Sequence, residues 1–223
     1  MGAGMWNNMI AYETPSFAGF KVFAQYGMGN QLKDNDDKLV GDENESTSDR
    51  YYAIGASYNN GPLSLYFAVD SINYASYFDN LTPSTKDVDD SLTVAFGGSY
   101  DFSVVKVFAG AQYFDEVDAG SIGGLKSGVG LNDSGKLEGY ALQASVSAPL
   151  AGGTGYFGVG YLDASEADSV AAADGVDVKY YVTSVGYKYD LSKRTNVYSV
   201  LSYAKGDRDR AAADGVDTKP STV

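Results

Sequence analysis

The densest groups of potential metal ligands in this sequence are two acidic runs. DNDD occupies positions 34–37 and DENE occupies positions 42–45. Carboxylate and amide oxygens are the ligands that Ca²⁺ and Mg²⁺ prefer. The spacing does not match an EF-hand loop, because Lys38 stands where a ligand is needed, and a solvated acidic loop is the simpler interpretation. The sequence therefore predicts no cofactor and no metal site, and a divalent cation at these acidic loops is kept as a hypothesis.

Residues that could carry catalysis or bind phosphate are scarce. The chain has no His and no Cys, which removes Ser-His and Cys-His nucleophiles, disulfides and the usual zinc sites. The stretch GSIGGLKSG at 120–128 approaches a phosphate-binding loop, but Leu125 separates the glycines from Lys126 and no strand-to-helix context follows. A net charge of -13 argues against nucleic acid as a partner. We therefore expect a protein that is not an enzyme.

The elements that position the remaining residues are predicted to be β-strands. No run of 18 apolar residues occurs, so no transmembrane helix is expected. The clearest strand is LSLYFAVD at 63–70, where Leu63, Leu65 and Phe67 alternate with polar or small residues. In all, alternation predicts about ten strands, near 6–13, 18–26, 51–58, 63–70, 92–101, 105–113, 140–148, 155–163, 178–189 and 195–205.

The connections between these strands alternate in length. Short turns rich in Pro, Gly, Asn or Asp are predicted at 14–18, 59–62, 101–103, 148–155 and 190–195. Long loops are predicted at 27–50, 73–89, 115–137, 163–177 and 206–221, and these loops hold most of the 29 acidic residues. Strict alternation places all short turns at one end of an up-and-down sheet and all long loops at the other.

The two faces of the predicted strands differ in a way that ordinary soluble sheets do not show. One face carries Val, Leu, Phe, Ala and Tyr, and the other carries Ser, Thr, Gln, Gly and an occasional Lys or Asp. A soluble sandwich usually places charged residues on its outward face. The pattern favours apolar side chains facing lipid and polar ones facing water. The fold class predicted is therefore all-β, an antiparallel up-and-down transmembrane β-barrel.

Tyrosines recur near the ends of the predicted strands. Amphipathic rings favour the membrane–water interface, and two girdles of them flank the apolar band of a membrane barrel. Tyrosine is also a good strand residue in general, but its repeated placement at strand ends favours girdles. The predicted girdle residues are Tyr12, Tyr26, Tyr58, Tyr100, Tyr113, Tyr140 and Tyr189.

Several stretches resemble one protein family along nearly the whole chain. These are NNMIAYETPSFAGFKVFAQYG, YNNGPLSLYFAVD, YDFSVVKVFAGAQY and YDLSKRTNVYSVLSYA. They are similar to the general trimeric porins of Gram-negative outer membranes, and YDLSKRT at 189–195 is especially typical. The resemblance implies a single porin β-barrel domain over 1–223 that is incomplete, covering about strands six to fifteen of sixteen. The early strands, the constriction loop and the final strand would then lie outside it, and its ten strands would form a partial or a small closed barrel.

The resemblance implies a function as well as a fold. The family lets small hydrophilic solutes and ions diffuse passively through a water-filled pore in the cell outer membrane, as a homotrimer surrounded by lipid and lipopolysaccharide. No bond is made or broken. A divalent cation at the acidic loops would, as a hypothesis, bridge to lipopolysaccharide phosphates.

Period-two alternation identifies the side chains that would line such a pore. Lys106 is the sharpest candidate, because a lone cation among Val and Ala at mid-strand would cost roughly 2–4 kcal/mol if it faced lipid. Snorkelling, or pairing with an inward Asp, is the alternative explanation for it. The predicted pore-lining residues are Lys21, Gln25, Ser64, Tyr66, Asp70, Lys106, Gln112 and Lys188, with Ser184 as a further inward residue.

A second class of function remains open at this point. A non-transporting β-rich binding module, such as a surface adhesin or a sugar-binding sandwich, would share the richness in Gly and Tyr. The two classes differ on the outward face, since only a membrane channel needs about 25 Å of uninterrupted apolar wall.

Overall fold

The computed structural model of the chain describes residues 8–28, 32–33, 39–40, 49–74, 77–79, 84–86, 89–118, 136–167 and 176–210. These residues form fourteen β-strands and no helix. None of the elements described is a helix of the length and apolarity that crossing a membrane requires. The strands are β1 (Met9–Glu13), β2 (Phe20–Met28), β3 (Leu32–Lys33), β4 (Leu39–Val40), β5 (Arg50–Asn60), β6 (Leu63–Asn73), β7 (Tyr77–Asp79), β8 (Ser84–Lys86), β9 (Ser91–Asp101), β10 (Lys106–Asp118), β11 (Lys136–Leu150), β12 (Gly153–Glu166), β13 (Val176–Ser192) and β14 (Thr195–Arg210).

Ten of the strands form one sheet in which every pairing is antiparallel. Its order is β1-β2-β5-β6-β9-β10-β11-β12-β13-β14, so each strand pairs with the strands of this sheet that precede and follow it in the sequence. The short strands β3–β4 and β7–β8 form separate two-stranded sheets within the first two long connections. The up-and-down arrangement of ten strands predicted from alternation is confirmed.

The sheet takes the partial form rather than the closed one. Among the described residues, β1 pairs only with β2, and β14 pairs only with β13. The two edges also differ in length, since β1 has 5 residues and β14 has 16.

Short turns join the strands in pairs at one end of the sheet. The turn between β1 and β2 is fixed by Gly19, whose φ of 87° lies in the left-handed region. A Cβ there would lie 2.2 Å from the carbonyl oxygen of Asn59, so no other residue fits without a backbone shift. Phe17 and Phe20 exchange two backbone hydrogen bonds across the same turn. The other short turns lie at 61–62, 102–105, 151–152 and 193–194, which places all five at the predicted end.

The register of the ladder assigns each side chain to one of two faces. One row of mutually paired residues runs Gln25, Ala53, Asp70, Thr93, Phe114, Gly139, Ala164 and Val178. We call the face that contains this row the polar face, since it carries most of the Ser, Thr, Gln and Lys of the strands. The opposite face contains the row Val22, Ala56, Phe67, Phe96, Ala111 and Leu142. We call this second one the apolar face.

The buried core of the described residues lies on the polar face, near the long-loop end of β10 to β13. Phe114, Leu137 and Val178 are fully buried there, and Leu162 and Ala164 pack with them. The prediction of polar side chains on this face therefore fails locally. The prediction fails because alternation along one strand shows only which side chains share a face. It does not show which part of that face is buried by residues from other strands.

A β-bulge marks the same region. Between the pairs Phe114–Gly139 and Val117–Leu137, β10 carries one residue more than β11. Glu116 within the bulge has a φ of 51°, which is uncommon for a residue other than glycine. The extra residue interrupts strict alternation, so Phe114 and Val117 share a face although they are three positions apart.

Candidate functional site

The eight residues predicted to line a pore all lie on the polar face. Gln25 and Asp70 belong to the row that defines this face, and Gln112 lies two residues before Phe114 of that row, so alternation within β10 places it there too. Ser64 and Tyr66 lie on the same face of β6 as Asp70, and Ser184 pairs with Ser202 on this face of β13 and β14. The remaining members of the set are Lys21, Lys106 and Lys188. Their shared face is a structural fact, and their role in lining a pore stays a prediction.

Tyr66 lies across its neighbours rather than away from the sheet. A Cβ added at Gly97 would lie 2.7 Å from the Tyr66 hydroxyl oxygen, and one added at Gly110 would lie 3.0 Å from it. The ring therefore extends from β6 over β9 to β10, in the space that two glycines leave open. This arrangement keeps a bulky aromatic residue close to the wall.

The three lysines of the set lie near the short-turn end, and each has an acidic neighbour. Lys21 Nζ forms an ion pair with Glu13 Oε1 on the adjacent strand. Lys188 Nζ lies 3.1 Å from Asp190 Oδ1. Lys106 lies opposite Asp101 in the ladder, and the register brings these two residues to the same part of the polar face. All are partly exposed, and such pairs contribute little to stability, but they balance the charge of this end of the polar face.

Lys106 does not lie at mid-strand, and that part of the sequence prediction is wrong. It is the first residue of β10, directly after the turn at 102–105, and its Nζ lies 5.2 Å from the centre of the Phe108 ring. The strand begins later than predicted because residues 102–105 form the turn, with the Phe102 amide donating to Val105. A cost based on the bilayer midplane therefore does not apply to this lysine.

Asp70 differs from the lysines in its position along the strand. It lies in the long-loop half of β6, between Ala53 on β5 and Thr93 on β9. The Thr93 side chain hydrogen-bonds with its carboxylate. It is half-buried, so it keeps contact with solvent. Asp70 thus places a negative charge on the polar face, away from the paired charges at the short turns.

The seven predicted girdle tyrosines all lie on the apolar face. Tyr12, Tyr58, Tyr100 and Tyr189 lie towards the short-turn end, and Tyr26, Tyr113 and Tyr140 towards the long-loop end. Sequence reasoning missed other members of the long-loop row. These are Tyr52, which pairs with Tyr26, and Tyr161 and Tyr181, which pair with each other. Their cross-strand alignment was the signal needed, because a strand-end position alone does not distinguish Tyr161 or Tyr181 from the others.

Some neighbouring rings within each row touch one another. At the long-loop end, ring centroids are 5.2 Å apart for Tyr26 and Tyr52 and 4.9 Å apart for Tyr161 and Tyr181. At the short-turn end, Phe20 and Tyr58 are 4.3 Å apart. Aromatic pairs at such separations are mutually favourable. These contacts link neighbouring rings within each row, and the role of the rows as membrane-interface girdles stays a prediction.

The apolar face between the two rows carries no charged residue within the described strands. Ile54 is 56% exposed, Phe67 46% and Phe96 59%, although each is large and apolar. Such exposure is typical of a surface that contacts something other than water. The charged residues that the register places on this face lie at the long-loop end and include Arg50, Asp115, Glu138, Asp163, Asp177, Lys179, Lys205 and Asp207.

The acidic runs at 34–37 and 42–45 lie outside the described residues. Within the part of the chain that the structure covers, no group of three or more His, Cys, Asp or Glu side chains could hold a metal ion. The hypothesis of a divalent cation at those loops therefore stays a prediction.

Comparison with known proteins identifies the architecture. Residues 2–209 match the family model described as Gram-negative porin. The chain is 34% identical to an outer membrane porin protein of Bordetella pertussis, over 92% of this chain and 54% of that protein. It is 28% identical to outer membrane porin protein 32 of Delftia acidovorans, over 89% of this chain and 46% of that protein. The chain thus spans about half the length of these curated relatives. As the sequence motifs predicted, it belongs to the Gram-negative porin family.

Proposed function

We propose that the protein acts in the outer membrane as a passive diffusion channel for small hydrophilic solutes and ions. One observation carries the proposal. The same ten strands present a charge-free apolar band between two rows of tyrosines on one face, and Lys, Asp, Gln and Ser on the other. Lipid suits the first face and water suits the second. Transport through such a wall requires no catalysis, so we propose no enzymatic activity.

The channel, its solutes and its assembly are proposed for the whole protein. This chain spans about half the length of the relatives that carry the porin name. A homotrimer embedded in phospholipid and lipopolysaccharide is the proposed state, supported by the family and by the lipid-suited apolar face.

An adhesin or sugar-binding sandwich is the competing class, and the apolar face argues against it. In a sandwich, a face this apolar is covered by a second sheet. Here one ten-stranded sheet carries the face, and Phe67 and Phe96 remain exposed on it. The protein should therefore require detergent or lipid for a monodisperse state, whereas a binding module would stay monodisperse in buffer.

Reconstitution in planar bilayers tests the proposal directly. The purified protein should produce stepwise, ohmic conductance increases in KCl and should let small sugars enter liposomes. Lipid-inserted, folded protein that gives neither conductance nor sugar entry would contradict the channel. Passage of large oligosaccharides at the same rate as small ones would contradict a size-limited pore.

Asp70 provides a test of the polar face. A unit negative charge about 10 Å away in water stabilises a cation by about 0.4 kcal/mol and destabilises an anion by the same amount, which together change their permeability ratio about fourfold. Asp70→Asn should therefore lower the cation-to-anion permeability ratio about fourfold in dilute salt, and less in concentrated salt because of screening. Reversal potentials across a KCl gradient measure this ratio. Asp163→Asn removes a carboxylate from the apolar face and should leave the reversal potential unchanged; an equal shift in both variants would refute the assignment of faces.

A further inference from the structure

Lys136 is a buried lysine with contacts to three separate chain segments. Its Nζ lies 3.2 Å from Glu116 Oε2, donates a hydrogen bond of 2.7 Å to the carbonyl oxygen of Asp89, and lies 4.4 Å from the centre of the Tyr74 ring. The Lys136 side chain is 11% exposed and that of Glu116 is 9% exposed. A buried ammonium requires such compensation, since an unpaired charge in a dry site is strongly unfavourable.

Each contact of Lys136 lies at the foot of a long connection, by which we mean the residues where the connection leaves or enters the ten-stranded sheet. Tyr74 directly follows β6, and Asp89 lies two residues before β9, so these two residues bound the connection of β6 to β9. Glu116 lies near the end of β10, and Lys136 begins β11, so these two bound the connection of β10 to β11. One ammonium group thus joins both ends of two neighbouring long connections.

Further interactions brace the feet of the first connection. The Asn73 side-chain amide donates to Asp90 Oδ2 at 2.7 Å, and the Tyr74 backbone amide donates to Asp90 Oδ1 at 3.1 Å. The Ile72 amide donates to Ser91 Oγ at 3.1 Å. Burial raises the pKa of the Tyr74 phenol, so its ring stays neutral beside the ammonium. These contacts give Lys136 an ordered partner on the β6–β9 side.

The β10–β11 side is equally specific. Glu116 lies in the bulge of β10 and has a positive φ, a conformation that costs free energy and persists only where the surroundings determine it. Bulges re-aim side chains, and this one delivers the Glu116 carboxylate to Lys136. Leu137, the residue after Lys136, is fully buried with Phe114. The ion pair therefore adjoins a fully buried apolar cluster, where electrostatic interactions are stronger than at the surface.

We propose that Lys136 is a latch that holds the feet of the β6–β9 and β10–β11 connections together and thereby keeps the long-loop mouth of the channel in one open geometry. The effect on the mouth rests on the proposed channel function. The latch itself does not, because it concerns the local order of two connections. Lys136 is in this sense a positioning residue, and it need not touch a solute.

Hydrogen exchange measures the latch without reference to transport. In the full-length protein in detergent, Lys136→Met should raise exchange at the amides of Ile72 and Tyr74 by about tenfold or more, because loss of a buried charge pair favours local opening. Tyr74→Leu keeps both charges and should raise exchange at Ile72 to a smaller extent, which provides a second variant if Lys136→Met folds poorly. Lys205→Met is the matched control, since Lys205 and Asp207 form an exposed pair, 3.7 Å apart, on β14. It should leave exchange at Ile72 and Tyr74 unchanged.

Single-channel recording measures the consequence for the mouth. Lys136→Met should show brief transitions to lower conductance levels about tenfold more often than the wild type, as local opening becomes more frequent. The fully open conductance should stay the same, and Lys205→Met should behave like the wild type. Unchanged exchange in both Lys136→Met and Tyr74→Leu would refute the latch. Raised exchange with steady currents would refute its control of the mouth. A wild-type protein without conductance would refute the channel function, while the exchange data would still decide whether the latch exists.

Discussion

Arginine in place of Phe67 should lower the stability of the lipid-inserted protein by about 2–4 kcal/mol, the cost of a cationic side chain near the middle of a lipid-facing wall. Phe67 lies opposite Phe96 on the apolar face. The pair Leu65–Tyr58 lies on its short-turn side, and Ser71–Tyr52 on its long-loop side, which places Phe67 between the two aromatic rows. The expected loss is a large part of the stability of an ordinary domain, which is about 5–15 kcal/mol.

Ala68→Arg is the matched control for that prediction. Ala68 is the next residue of the same strand, and period-two alternation places it on the polar face between Gly55 and Ala95. An arginine there should remain in water, so its effect on stability should be small. Urea unfolding in lipid vesicles, followed by heat-modifiable mobility on gels, measures both variants. Equal losses for Phe67→Arg and Ala68→Arg would show that the apolar face does not contact lipid.

The assignment of faces could be predicted from the sequence because it depends on local geometry alone. Side chains alternate along any extended strand, so Lys21 and Gln25, or Ser64 and Asp70, must share a face if no bulge separates them. The residue types that favour tight turns predicted where the strands end, as Pro15 and Gly19 do between β1 and β2. These two regularities were enough to place every predicted pore-lining residue and every predicted girdle tyrosine on a single face for each set.

The structure departs from the predictions where non-local contacts or bulges determine which way a side chain points and whether it is buried. The extra residue of β10 near Glu116 shifts the faces beyond Phe114, and alternation cannot detect it. Lys136 appears in the sequence as an ordinary surface lysine, and only the meeting of β10, β11 and the β6–β9 connection buries it. The burial of Phe114 on the polar face likewise depends on chain segments distant in sequence. Local patterns therefore predicted the ten-stranded sheet and its two faces, whereas the burial of residues at its long-loop end depends on tertiary packing.

Gly139→Ala should destabilise the protein by about 3 kcal/mol. The packing at the long-loop end of the sheet depends on this one residue. Gly139 has a φ of 151°, in a region that residues with a Cβ rarely adopt. A Cβ there would lie 2.2 Å from the Asp163 carbonyl oxygen and 2.7 Å from the Ala164 Cα, so both β11 and β12 would have to move. Because Gly139 pairs with Phe114 and Ala164, the shift would also open the buried cluster.

Gly186→Ala is the control, because it shows how much stability changes when alanine replaces a strand glycine that has room for a Cβ. Gly186 lies on the polar face of β13, and a Cβ there would meet its nearest atoms at 3.4 Å, an ordinary contact. It should change stability by less than about 1 kcal/mol, since alanine also reduces the entropy of the unfolded chain. The midpoint of urea unfolding at constant m-value measures both variants. Similar midpoints for Gly139→Ala and Gly186→Ala would mean that β11 can relax at the bulge. In that case the tight approach of β11 to β12 would not be what holds Phe114 out of water.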